Sequence, residues 1–134
     1  MYCFDTGVLT TALKRNPPLG LIRRLALTPR EEQFTTSITL AEILYGAARA
    51  GSEALARRAR ELVSQLVAIL PFDSRAAEVY APLRAQLERQ GRRLDEPDLR
   101  IASIALARDL TLVTGNVRHF ARIPDLRVEN WLEA

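Results

Sequence analysis

With 134 residues, 48% hydrophobic and 26% charged, and a net charge of +3, the chain fits one globular domain over residues 1–134 and excludes a disordered chain. No apolar run is long enough to cross a bilayer, and Asp5 interrupts an N-terminal apolar stretch that lacks a basic flank, so neither a membrane span nor a signal peptide is expected. The lone Cys3 suits a reducing cytoplasm and, with the lone His119, excludes an ordinary zinc site of four Cys and His ligands.

Tyr2 to Phe4 predicts a very short strand ending at Asp5, which is placed to N-cap a helix over Thr6 to Lys14. Asn16-Pro17-Pro18 breaks that helix. A second one follows over Leu19 to Leu27, with Leu19, Ile22 and Leu25 or Ala26 on one side, and Thr28-Pro29 stops it. Glu31-Glu32 reads as loop and Phe34 to Ile38 as strand. Thr39-Leu40-Ala41-Glu42 has the spacing of a capping box, and Leu40, Ile43, Leu44 and Ala47 continue it as an amphipathic helix ended by Gly51. Ser52 caps the next helix, with Leu55, Ala59, Leu62 and Leu66 inward. Val67 to Phe72 gives a third strand. Asp73 or Ser74 then caps a helix whose inner face is Ala76, Tyr80, Leu83 and Leu87, with a kink expected at Pro82.

Gly91 to Glu96 is a polar loop. Pro97 marks the start of a helix with Asp98 in its first turn, and Leu99, Ile101, Ala102, Ile104, Ala105 and Leu106 make that helix apolar over most of its circumference. Arg108-Asp109 closes it, and Leu110, Leu112 and Val113 form a buried strand ending at Thr114-Gly115-Asn116. Arg127 to Asn130 reads as a last edge strand with Trp131 packed behind it. Strands and helices in alternation argue an α/β fold with a mostly parallel sheet of about five short strands. Ligand chemistry in such sheets gathers beyond the carboxyl ends of the strands, where Asp98 and Asn116 bound one crevice.

Asp5, Glu42 and Asp98 stand at three separate helix starts. Each has an ordinary structural explanation, as N-cap, capping-box acid or first-turn acid. Helix starts that follow parallel strands point to one edge of the sheet, so together the three carboxylates form a candidate oxygen-ligand site for Mg²⁺ or Mn²⁺. The basic residues are nearly all arginine, clustered at Arg57, Arg58 and Arg60 and at Arg89, Arg92 and Arg93. Solvated helix faces account for these clusters, and the composition points to nucleic acid only weakly.

Four blocks, in order, carry a family resemblance. They are Phe4-Asp5-Thr6-Gly7, the run Ser37-Ile38-Thr39-Leu40-Ala41-Glu42-Ile43-Leu44-Tyr45-Gly46, Asp98 through Ile101-Ala102 to Ala105, and Leu112-Val113-Thr114-Gly115-Asn116 through Phe120, with Trp131 near the end. Over almost its whole length the chain resembles PIN-domain proteins, specifically the VapC-type toxins of bacterial type II toxin–antitoxin pairs. The resemblance implies a three-layer α/β/α domain and Mg²⁺-dependent endoribonuclease activity, with Mn²⁺ as a substitute ion. Asp5 and Asp98 would ligate the ion and Glu42 would complete the pocket. Thr6 and Thr114 would hold a carboxylate or phosphate oxygen. Asn116 takes the place of a fourth, often acidic group, and Gly7 that of the usual Asn.

The resemblance also implies an RNA substrate, a cognate antitoxin that covers the site, and a homodimer with two acidic pockets along one basic groove. Leu9, Leu13, Leu19 and Ile22 are candidate docking residues, about half of them expected in the core. His119 is left as a surface or packing residue. Two other classes compete. Asp5-Thr6-Gly7 spells the short motif of aspartic proteases, whose fold is almost entirely β. Gly7 and Asn116 also suit a non-catalytic PIN-fold module that binds protein or RNA through a weakened site.

Overall fold

The computed structural model describes residues 1–133. In chain order the elements are β1 (Tyr2–Phe4), α1 (Thr6–Ala12), α2 (Leu19–Leu27), a 3-10 turn (Arg30–Glu32), β2 (Gln33–Thr36), α3 (Ser37–Arg49) and α4 (Glu53–Ser64). There follow β3 (Ala68–Leu70), α5 (Ser74–Arg89), α6 (Glu96–Ala107), β4 (Thr111–Val113), α7 (Val117–Phe120) and β5 (Val128–Glu129). All five strands pair in parallel, in the order β3-β2-β1-β4-β5. The sheet therefore grows outward from β1 to β3, then returns to the other side of β1 for β4. The strand order reverses between β1 and β4, the point where an open parallel sheet forms its ligand crevice.

Side-chain alternation along the strands separates two cores. Cys3 and Leu112, directly opposite in register, face Leu83 and Leu87 of α5, Ile101 and Ile104 of α6, and Phe120 of α7. Their neighbours Phe4 and Val113 face the other way, onto Val8, Leu9, Leu21, Ile43, Ala59, Val63 and Trp131. Helices α1 to α4 thus cover one face and α5 to α7 the other. This is the expected three-layer arrangement, with a sheet that is wholly rather than mostly parallel, and it removes the aspartic-protease alternative.

Short polar side chains start the helices. Asp5, Ser52 and Asp73 accept the backbone N–H of Val8, Leu55 and Ala76 respectively. Gly51 takes φ 64° just after α3, as a helix-ending glycine does. Helix α5 runs unbroken through Pro82. Trp131 is buried behind β1, edge-on to Tyr2 at 4.9 Å and Phe4 at 5.3 Å.

Several boundaries differ from the sequence expectation. Strand β2 stops at Thr36, and Ser37 and Ile38 already belong to α3. Thr36, not Thr39, is the cap, its Oγ1 accepting the Thr39 N–H at 3.0 Å. Glu42 is therefore in the second turn of α3 and is no capping-box acid. Arg30–Glu32 is a 3-10 turn rather than a loop, α1 ends at Ala12, and β3 is shorter than Val67 to Phe72. On α2 the buried residue is Leu21, while Leu19 and Ile22 are 78% and 41% exposed, because Leu21 is the side chain that meets the α1–α4 core. On α4 the burial shifts to Ala56, Ala59 and Val63, with Leu66 following. Helix α6 begins one residue before Pro97, with Asp95 as its cap.

Candidate metal centre

Asp5 is the first residue beyond β1. Its backbone N–H donates to Val113 O of β4 at 3.1 Å, which fixes it at the reversal point of the sheet. Its Oδ1 accepts the Val8 N–H at 2.9 Å. Only 7% of the residue is exposed. Burial raises the carboxyl pKa, the Thr114 hydroxyl and the Val8 N–H pull it down, and the Glu42 charge raises it again, leaving it above the ordinary carboxylate value.

Thr114 is the residue that ends β4 and is fully buried. Its hydroxyl lowers the pKa of the Asp5 carboxyl, and its Oγ1 accepts the Asn116 N–H at 2.9 Å. Glu42 reaches the same end of the sheet from α3. Thr6 Oγ1, on the first residue of α1, donates to Glu42 Oε1 at 2.5 Å. Both threonines that sequence reasoning singled out therefore act on an acid of the candidate site.

Asp98 approaches from the opposite layer, on the third residue of α6. Its carboxyl is pushed from 3.8 up to about 7, first by burial, then by the charge and hydrogen bond of Asp95, then by the charges of Asp5 and Glu42. Three acids, Asp5 ahead of α1, Glu42 on α3 and Asp98 on α6, thus lie within electrostatic reach of one another from both layers. Among the described residues they are not drawn into a closed cage of three ligands. Each is held by its own partner, Asp5 by Val8, Glu42 by Thr6, and Asp98 by Asp95. All the donors are hard oxygens and the mutual repulsion asks for a positive charge, a donor set that fits a hard divalent cation.

Asn116 is exposed, and its Nδ2 lies 2.6 Å from His119 Nδ1. His119, expected as a surface or packing residue, is exposed and does touch a candidate residue. At Gly7 an added Cβ would stand 3.7 Å from Asp5 Oδ1, an ordinary contact, so the missing asparagine is absent by sequence and not for want of space. Sequence reasoning missed Asp95, whose Oδ1 accepts the Asp98 N–H at 3.1 Å. The available signal was an N-cap-type residue just ahead of a first-turn proline. Beside Glu42 a cleft of about 340 Å³ opens between α1, α3 and α4, lined by Thr10, Leu13, Lys14, Ile43, Gly46 and Leu55. The arginines of both clusters are exposed and none forms an ion pair among the described residues.

The sequence profile of the PIN domain matches residues 2–126. Ribonuclease VapC2 of Rickettsia felis is 31% identical over 131 residues, covering 98% of each chain. The tRNA(fMet)-specific endonuclease VapC of Shigella flexneri is 32% identical over 130 residues, covering 97% of each. The crystal structure of VapBC2 from Rickettsia felis bound to a DNA fragment from its promoter contains a chain that superposes with a TM-score of 0.85 at 32% identity, covering 97% of this chain and 98% of that one.

Proposed function

The chain belongs to the PIN-domain family, among the VapC ribonucleases, and from that premise we propose that it is a toxin that hydrolyses RNA phosphodiesters with a divalent ion held by Asp5, Glu42 and Asp98. The observation that carries the reading is geometric: the Asp5 backbone is tied to Val113 of β4 at the reversal point of the sheet, and Thr6, the next residue, hydrogen-bonds Glu42 of α3 at that same end. Mg²⁺ is the ion proposed, with Mn²⁺ as its substitute. When bound, such an ion activates water and offsets charge on the phosphodiester.

The chain's own residues supply the positioning. Thr6 fixes the Glu42 carboxylate, the Val8 N–H fixes Oδ1 of Asp5, and the Thr114 hydroxyl favours the ionised form of Asp5. Asn116 brings an amide without charge, suited to orienting water or a substrate hydroxyl at the rim. The exposed arginines of α4 and of the end of α5 supply positive charge for phosphate.

A cognate antitoxin is the proposed protein partner, since the Rickettsia structure is of VapBC2. Leu19 and Ile22 are exposed enough to dock it and Leu13 lines the cleft beside Glu42, whereas Leu9 belongs to the core. We also propose a homodimer in the cytoplasm. No helix among the described residues is long and apolar enough to cross a membrane.

The competing reading, a binding module with a spent site, draws on Gly7 and Asn116. Retention of all three acids and of both supporting threonines favours the nuclease. Calorimetric titration of Mn²⁺ into the wild type and Asp98→Asn, paired with RNA cleavage, decides between them. Metal binding and cleavage that fall together in the variant support the nuclease. A wild type without metal dependence supports the module.

A further inference from the structure

Glu96 is the first residue of α6, two before Asp98, and its side chain is 43% exposed. An acid in that position serves the helix start through its charge and needs no side-chain partner. This one has three. The Tyr80 hydroxyl, on α5, donates to Glu96 Oε2 at 2.6 Å and lies 2.8 Å from Oε1. Arg84 of α5 reaches Oε1 at 3.2 Å, and Arg100, one turn along α6, reaches Oε2 at 3.2 Å. Arg84 Nη1 also donates to the Tyr80 oxygen at 2.9 Å, so phenol, guanidinium and carboxylate close a triangle of bonds between the two helices.

The triangle is anchored from below. Tyr80 packs edge-on to Phe72, with ring centroids 5.4 Å apart, and both rings lie against the core shared by α5 and α6. Arg100 lies over the Phe72 ring at 5.6 Å. At 2.6 Å the phenol bond has the short length of a hydroxyl donating to an ionised carboxylate, among the stronger bonds a surface can carry. Asp98 itself forms no ion pair among the described residues, so its place is set by the helix start that carries it. The other end of the same helix pair is joined separately, by Arg108 and Asp73 at 2.9 Å.

We propose that Tyr80 is a positioning residue of the metal site: through Glu96 it pins the first turn of α6 to α5 and so sets where Asp98 presents its carboxylate. This rests on the metal-site reading above. Tyr80 acts through Glu96 and the helix, not on the ion.

The test titrates Mn²⁺ by calorimetry into the full chain as wild type, Tyr80→Phe, Glu96→Ala, the double variant and Arg108→Gln, with a thermal melt of each metal-free protein. Tyr80→Phe keeps the ring against Phe72 and the formal charge. Its Mn²⁺ affinity should fall ~5-fold, less than for loss of a direct partner of a metal ligand. Glu96→Ala should lose at least as much, and the double variant no more than Glu96→Ala, because the hydroxyl then has nothing left to hold. Arg108→Gln opens the far end of the helix pair and should lower the melting temperature without changing affinity. A Tyr80→Phe protein that melts lower but binds Mn²⁺ as wild type does would make the bond a packing contact only and overturn the proposal. So would additive losses in the double variant, or an equal loss of affinity in Arg108→Gln. A wild type that binds no Mn²⁺ overturns the metal site itself, a failure visible before any variant is compared.

Discussion

The hydroxyl of Thr6 donates to Oε1 of Glu42 at 2.5 Å, joining the first residue of α1 to the second turn of α3. Glu42 has no place at its helix start, so this bond and the packing of α1 against α3 are what turn it toward Asp5. Thr6→Val removes the donor at nearly constant volume. Cleavage and Mn²⁺ affinity should fall ~10-fold, as when a metal-site partner is lost, with a stability cost of about 1 kcal/mol. Thr6→Ser keeps the hydroxyl and should retain most of both. Titration calorimetry and urea melts separate the two effects.

Asp98 makes the metal-free protein sensitive to pH. Its carboxyl rises from 3.8 to about 7 on folding, so the folded state holds the proton more tightly. That contribution is fully present below pH ~4 and is lost as pH rises through ~7. Asp98→Asn removes the charge that burial and its acidic neighbours oppose. At pH 8 the metal-free variant should therefore be more stable than wild type by about 1 kcal/mol, well under the full converted shift because the side chain is only partly buried. The difference should shrink toward pH 4. Excess Mn²⁺ should reverse the order at pH 8 by stabilising the wild type alone. Thermal melts at both pH values, with and without Mn²⁺, check each step.

These two residues also show what was legible in the chain. Asp5, Ser52 and Asp73 could be read as caps because a short side-chain oxygen before an apolar periodic run has few other uses. Thr36 and Thr39 are both acceptable caps by that rule. What selects Thr36 is tertiary, namely the pairing of β2 between β1 and β3 and the Thr35 hydroxyl donating to Phe4 O at 2.8 Å. Asp95 was hidden in a polar stretch because Pro97 drew the helix boundary past it. The acids Asp5, Glu42 and Asp98 stood out through their order along the chain, but the partners that aim them come from distant segments. No local pattern encodes Thr6 meeting Glu42 or Asp98 sensing Asp5.

Gly7 is the second residue of α1 and exposed, and it lacks the positive φ that would require glycine. A helical glycine costs backbone entropy, so Gly7→Ala should stabilise the protein by about 0.5–1 kcal/mol. The added Cβ meets Asp5 Oδ1 at 3.7 Å without strain. Metal affinity should be unchanged in Gly7→Ala. Gly7→Asn should also fold and bind metal at least as well as wild type. A drop in either measurement would mean that the open edge beside Asp5 is needed by the site. Melts and Mn²⁺ titrations of both variants provide the check.

Trp131 connects the end of the chain to the floor of the site. It is 1% exposed and packs edge-on to Phe4, the residue before Asp5, while Arg24 stacks over its ring at 4.5 Å. Its Nε1–H donates to Glu129 Oε1 at 3.0 Å, and Glu129 in turn pairs with Arg24 at 3.0 Å. Trp131→Ala leaves a large cavity against β1 and should cost about 3–5 kcal/mol. Trp131→Phe keeps most of the packing and loses the hydrogen bond, for about 1–2 kcal/mol. Because Phe4 holds the strand end that carries Asp5, the alanine variant should also weaken Mn²⁺ binding under conditions where it remains folded, and the phenylalanine variant should not. Urea denaturation followed by circular dichroism gives the first pair of values, and calorimetry at low temperature gives the second. Equal metal affinity in a folded Trp131→Ala would show that the bonds of Asp5 to Val113 and Val8 hold it without the Trp131–Phe4 packing.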